Sequence, residues 1–149
     1  MKVISGGQTG ADRTALEIAR ELGIPTGGYA PLGWRTDAGP DPSLAEFGLI
    51  ETRFPSYPLR TRLNVRFSHG TVIFGNIESA GCVCTENACL TYNRPYLTNP
   101  TVEELVSWVR EGRIGILNVA GNRKRTNPEI EGIVRAVLKP ALEELCQRA

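Results

Sequence analysis

The sequence predicts a doubly wound α/β domain, one unit over residues 1–149, with a mainly parallel sheet of about five strands. Three observations carry this. Short β-branched or apolar runs alternate with segments of helical periodicity from end to end. The first run, Lys2–Ser5, passes through the turn Gly6-Gly7-Gln8-Thr9-Gly10 straight into a helix beginning near Ala11. A chain of 149 residues, 41% hydrophobic and 22% charged, suits one folded domain with a sizeable core rather than disorder.

Each element has a local cause. Ala15, Ile18, Ala19 and Leu22 form the apolar stripe of a first helix, and Gly23 stops it. Ile24-Pro25 opens a second strand over Thr26–Tyr29, which completes a right-handed βαβ unit. Ala30–Ser56 carries Pro31, Gly33, Gly39, Pro40, Pro42, Gly48 and Pro55, and reads as a long loop of the functional or mobile kind. Leu49–Thr52 is a candidate edge strand within it. Leu59, Leu63 and Phe67 share one face of a helix over Tyr57–Ser68. Thr71–Phe74 is a buried strand, Gly81–Tyr92 a helix and Pro95–Leu97 a short strand. Thr101 and Glu104 have capping-box spacing at the start of a helix over Thr101–Glu111. Ile114–Val119 is a second buried strand. Asn127 as cap, with Pro128 at the first helical position, starts a last helix running to about Arg148, with Pro140 as a kink.

Charge and composition exclude several classes. A net charge of +1 argues against a nucleic-acid surface or a polybasic membrane patch. The basic residues are mostly arginine, which suits planar contact to phosphate, with Lys2, Lys124 and Lys139 the exceptions. No apolar run approaches the roughly 20 residues of a membrane span. Met1 leads directly into a strand, so no signal peptide is expected. Cys82, Cys84, Cys89 and Cys146 do not form a secreted disulfide pattern, so a reducing cytoplasm is expected.

In doubly wound folds the ligand lies beyond the carboxyl ends of the strands. The loops to watch are Gly6–Asp12, Ala30–Pro42, Gly75–Thr85 and Ala120–Asn127. The first presents backbone N–H groups and a helix dipole, and is expected to hold the phosphate end of a small ligand. The alternative is a tight turn needing glycine only for positive φ, with Asp12 merely favouring the dipole. GGQTG is not the GxGxxG fingerprint and no Walker lysine follows it, so simple NAD and ATPase readings fail. Cys82, Cys84 and Cys89 lack an evident fourth partner for zinc; they read as packing thiols, with ligand contact by Cys82 as the sharper alternative. His69 is the single histidine, which leaves no Ser-His-Asp logic, and it reads as a turn residue beside Gly70. Trp34 and Tyr29 are candidates for stacking on a ring or for core packing. Arg35, Arg60, Arg123, Lys124 and Arg125 either neutralise an anionic ligand or are solvated.

Four blocks in order, SGGQTGADR, GGYAPLGWRTDAG, RTRLNVRFSHGTVIF and ILNVAGNR, resemble the molybdenum cofactor carrier protein family. That family belongs to a group of Rossmann-like domains that also contains the cytokinin-activating phosphoribohydrolases. The resemblance runs from Met1 to about Val134. It implies a small carrier rather than an enzyme, a binder of molybdopterin with the phosphate at the first Gly-rich loop. A divalent cation or an oxyanion is the further occupant considered. It also implies a molybdoenzyme as recipient and a homo-oligomer, with Ile130, Ile133, Val134, Val137 and Leu138 of the last helix as interface or core cover. By carry-over, Gly6, Gly7, Gln8, Thr9, Gly10, Asp12 and Arg13 form the first binding loop. Arg35, Asp37 and Gly39 match a second loop, Arg60, Thr61 and Asn64 a helix motif, and Asn118, Ala120 and Gly121 the end of the last strand. After TVIF the candidates are Asn76, Gly81, Cys82 and Thr85, with Cys82 standing where threonine is usual and His69 where an acidic residue is usual. The alternatives are a nucleotide or nucleotide-sugar sensor and an N-glycosidic hydrolase. The hydrolase needs a glutamate where Thr85 stands, and Glu86 is one residue out of register.

Overall fold

The computed structural model describes residues 1–147. Six strands form one sheet: β1 Lys2–Ile4, β2 Thr26–Ala30, β3 Leu49–Glu51, β4 Gly70–Phe74, β5 Tyr96–Thr98 and β6 Ile116–Gly121. Their spatial order is β3-β2-β1-β6-β4-β5 and every pair is parallel. The sheet has six strands rather than about five because the candidate edge strand pairs fully with β2, Gly28 against Leu49.

Five helices cover the sheet: α1 Ala11–Glu21, α2 Tyr57–Arg66, α3 Ala80–Thr91, α4 Val102–Glu111 and α5 Ile130–Cys146. The right-handed crossover rule assigns each to a face. The chain steps one way from β1 to β2 and from β5 back to β6. It steps the other way from β3 to β4 and on to β5. Accordingly α1, α4 and α5 share one core with β1, β4 and β6, built on Ile18, Leu105, Leu117, Val134 and Leu138. α2 and α3 pack on the opposite face through Val65, Ala88 and Cys89. The long loop folds a short 3-10 turn, Pro42–Phe47, whose Leu44 and Phe47 pack with Leu16 and Trp34. Trp34 is therefore a packing residue, and Tyr29 stacks on Phe67 at 5.9 Å.

The starts of the last strand and the last helix differ from the sequence reading. The last strand starts at Ile116, not Ile114, because the Ile114 N–H closes α4 by donating to the Val109 carbonyl. The next two N–H groups, of Gly115 and Ile116, both donate to His69 Nδ1 at 3.0 Å. His69 thus pins the entry of β6, a role its turn position did not announce. The last helix starts at Ile130 with Glu129 before it and no side-chain cap. Asn127 does not cap it, because its side chain donates to Asn122 Oδ1 at 3.1 Å. The predicted end near Arg148 lies outside the described residues. The helix runs through Pro140, and Ile130, Val134 and Leu138 lie in the core. Among the described residues no helix is long and apolar enough to cross a membrane.

The capping box is present in full: Thr101 accepts from the Glu104 N–H at 3.1 Å and Glu104 accepts from the Thr101 N–H at 3.0 Å. Thr101→Ala is expected to lower stability by about 1 kcal/mol in urea unfolding, with the fold retained. A loss under about 0.3 kcal/mol would show that α4 is held by its packed face alone.

Candidate functional site

The strand order reverses where β6 lies between β1 and β4, and a cleft of about 280 Å³ opens there beyond the carboxyl ends of the three strands. Its walls come from four places. Gly6, Gln8 and Asp12 follow β1, and Ser79, Ala80, Gly81 and Thr85 follow β4. Asn118 to Arg123 run along the end of β6 and its loop, and Arg60, Thr61 and Asn64 come from α2.

The first turn is occupied by its own chain. The Gly7 N–H donates to Ser5 Oγ, the Gln8 N–H to Asp12 Oδ2, and the Thr9 N–H to Gln8 Oε1. At the start of α1, the Ala11 N–H donates to the Asn122 carbonyl at 3.1 Å. Those groups, expected to face a ligand unpaired, are engaged. Gly7 has φ +76° and a Cβ there would sit 2.6 Å from Leu44, so its glycine serves packing under the 3-10 turn. A Cβ at Gly10 would meet the Asn122 carbonyl at 2.5 Å.

Burial decides the electrostatics. Desolvation lifts the Asp12 carboxyl above the ordinary carboxylate value, while Arg60 at 3.5 Å and the Gln8 N–H pull it down. Arg60 is itself buried and donates to the Gly6 carbonyl at 2.9 Å. Asp37 receives Arg123 at 3.0 and 3.1 Å and Arg125 at 3.9 Å, while its N–H donates to Gln8 Oε1. Asp37 therefore straps the long loop across the mouth. The guanidinium groups of Arg35, Arg60 and Arg123 all lie over the Tyr57 ring, at 4.5, 5.1 and 5.4 Å. With Arg125, four guanidinium groups face two carboxylates, so the mouth is net positive.

The amino end of α3 contrasts with that of α1. Ser79 caps it by accepting from the Cys82 N–H at 3.3 Å. The N–H groups of Ala80 and Gly81 have no acceptor within the helix, and both residues line the cleft. A Cβ at Gly81 would enter open space.

Of the sequence candidates, Gly6, Gln8, Asp12, Gly81, Thr85, Asn118 and Gly121 line the cleft. Gly7, Thr9 and Gly10 shape the turn behind it. Arg13 points to the 3-10 turn, where it bonds Asp41 at 2.7 Å. Arg35 and Asp37 stand at the mouth, and Arg35 also donates to the Pro55 carbonyl. Asn76 binds Asn122 through its backbone. Cys82 is buried against Asn122, and burial pushes its thiol up. The sequence reading missed Asn122, Ser79 and Tyr57. The signal for Ser79 was a serine three residues before the Cys82 N–H at a helix start; Asn122 and Tyr57 gave none, because their partners are remote in sequence. Among the described residues no group of three or more His, Cys, Asp or Glu side chains is placed to hold a metal ion.

Residues 3–142 match the family described as "cpYpsA: Circularly permutated YpsA SLOG family". The chain belongs to this family. The crystal structure of a "Putative molybdenum carrier protein" from Syntrophus aciditrophicus SB is 36% identical, covers 95% of this chain and 94% of its own, and superposes with a TM-score of 0.87. No curated protein matches the chain. The Rossmann-like reading is thereby established, and the SLOG member is a single α/β domain of six parallel strands.

Two outcomes follow. Asn122→Ala strips the acceptor of the Asn76 and Asn127 donors and the donor to Ser79. It is expected to cost about 2–4 kcal/mol in urea unfolding. For Asp12 the sign is set by its raised folded pKa: its ionisation costs stability, with no cost below the ordinary carboxylate range and the full cost above the folded value. The stability of wild type minus that of Asp12→Asn should therefore fall as pH rises through that window. A rising difference would mean that the Arg60 pair outweighs burial.

Proposed function

We propose that this chain binds the molybdenum cofactor and protects or delivers it without transforming it. The observation that carries this reading is the cleft at the strand reversal, rimmed by arginines and open to the amino end of α3. The 36% identity to a "Putative molybdenum carrier protein" over nearly the whole chain supports it. The phosphate sits at the N–H groups of Ala80 and Gly81, with Arg123 beside it, rather than on the first turn. Two reasons favour that end. The N–H groups of Gly7, Gln8 and Thr9 are engaged within the turn, and Arg60 at that end is already paired with Asp12. The protein grips the pterin and its phosphate, and the cargo metal keeps its dithiolene ligands. A molybdoenzyme is the recipient.

One observation favours a second reading, N-glycosidic hydrolysis: a buried carboxyl with a raised pKa, Asp12, lines the cleft. Against it, Asp12 is committed to Arg60 and the Gln8 N–H, and Glu86 is not among the lining residues. Incubation with AMP should release no adenine on chromatography; steady release abolished by Asp12→Asn would establish the hydrolase.

Ligand extracted from protein purified under anaerobic conditions should yield a pterin phosphate, or its oxidised product, together with molybdenum by elemental analysis. A nucleotide without pterin or molybdenum would overturn the proposal. Gly81→Leu fills open space and replaces a helical glycine, so stability should hold or rise by up to about 1 kcal/mol. Retention of the pterin should fall about tenfold or more, as expected when charge-assisted bonds are blocked.

A further inference from the structure

The cleft holds two polar atoms that the fold leaves without partners. Gln8 Nε2 and Asn118 Oδ1 are buried and make no hydrogen bond within the chain. Their residues are 5% and 3% exposed, and both line the cleft. A buried amide atom without a partner is costly, and such atoms are rare unless something else satisfies them.

The hydrogen-bond network assigns which atom of each amide is left over. Gln8 Oε1 accepts from the Thr9 N–H and the Asp37 N–H, both at 2.9 Å. Turning that amide over would set its NH₂ against two donors, so Nε2 is the free atom. Asn118 is assigned with Nδ2 donating to Thr71 Oγ1 at 3.2 Å, the Thr71 hydroxyl being turned to Cys89, and this leaves Oδ1 free. One free donor and one free acceptor therefore belong to residues that line the same cleft. An oxyanion such as phosphate or molybdate offers acceptors only. It would satisfy Gln8 and leave Asn118 unpartnered.

We propose that Gln8 Nε2 and Asn118 Oδ1 recognise the lactam edge of a heterocyclic ligand, its ring C=O and adjacent ring N–H, so that the cleft distinguishes an organic ligand from a bare oxyanion. This rests on the proposed pterin-binding function and adds an orientation to it. The ring lies toward β1 and β6, and the phosphate lies toward α3. The Asp12 carboxyl, which also lines the cleft, can accept from ring N–H groups at that end. Asn118 and Gln8 here set ligand class, while Ala80, Gly81 and Arg123 set charge.

The test uses three probes on the intact protein. Pterin supplies the lactam edge and its own fluorescence, 1,3-dimethyllumazine keeps the ring carbonyls but has methyl groups on its ring nitrogens, and inorganic phosphate supplies the anion alone. Wild-type protein should bind pterin on the order of 100-fold more tightly than 1,3-dimethyllumazine, because a site built for N–H donors rejects an analogue lacking them. Asn118→Leu should weaken pterin about 10–100-fold and leave phosphate affinity within about twofold. Equal binding of the two heterocycles by wild type would overturn the proposal, as it would if those amide atoms hold only water. Unchanged pterin affinity in a folded Asn118→Leu variant would do the same. The wild-type comparison stands even if that variant fails to fold. Failure of phosphate to bind, with heterocycle discrimination intact, would count against the phosphate placement alone. Recovery of a nucleotide in the extraction would count against the cofactor alone.

Discussion

Much of this molecule depends on the side chain of Asn122. Its Oδ1 accepts from the Asn76 N–H at 2.6 Å and from Asn127, and its Nδ2 donates to the Asn76 carbonyl and to Ser79 Oγ. Its backbone carbonyl takes the Ala11 N–H, and its own N–H reaches the Phe74 carbonyl. One residue thus ties the end of β6 to the start of α1, the loop after β4, the cap of α3 and the approach to α5. Glycine at 75 lets the loop pass: a Cβ there would collide with the Asn122 side chain. Buried networks of this kind are stabilising only when complete.

That junction explains why the cleft lies where it does. The right-handed crossover rule sends the connections from β1 and β4 to opposite faces, which opens a gap above β6. Asn122 closes the floor of that gap. The two ends of the cleft then differ in chemistry. At β1 the backbone is turned inward and an acidic group is buried. At α3 the first helical residues line the cleft with no helical acceptor for their N–H groups, and arginines gather over Tyr57. A molecule with a neutral hydrogen-bonding ring and a single anionic end is complementary to that division.

The alternation of strands and helices, the capping box and the switch-point loops were legible in the sequence because each rests on local periodicity or on a short spacing. Lys2–Ile4, Gly70–Phe74 and Thr101 with Glu104 are of this kind. The site was legible as loops but not as side chains. GGQTG looked like an anion cradle because the sequence cannot say that Ser5, Asp12 and the Gln8 side chain take its N–H groups. Asn127 looked like a cap because its competing partner, Asn122, could not be seen as a hub. His69 gave no hint that it would hold two N–H groups at the entry of β6, since those lie over forty residues away.

The insertion of β6 between β1 and β4 also bears on how the chain comes into being. Residues 116–121 are the last strand to be synthesised and the one that joins the two halves of the sheet. Until they dock, β1 and β4 have no common neighbour and their loops have no shared floor. A nascent chain therefore carries both Gly-bearing loops, after β1 and after β4, long before the cleft between them exists. The non-local pairing that completes the sheet also completes the site, so occupancy reports a finished fold rather than a partial one.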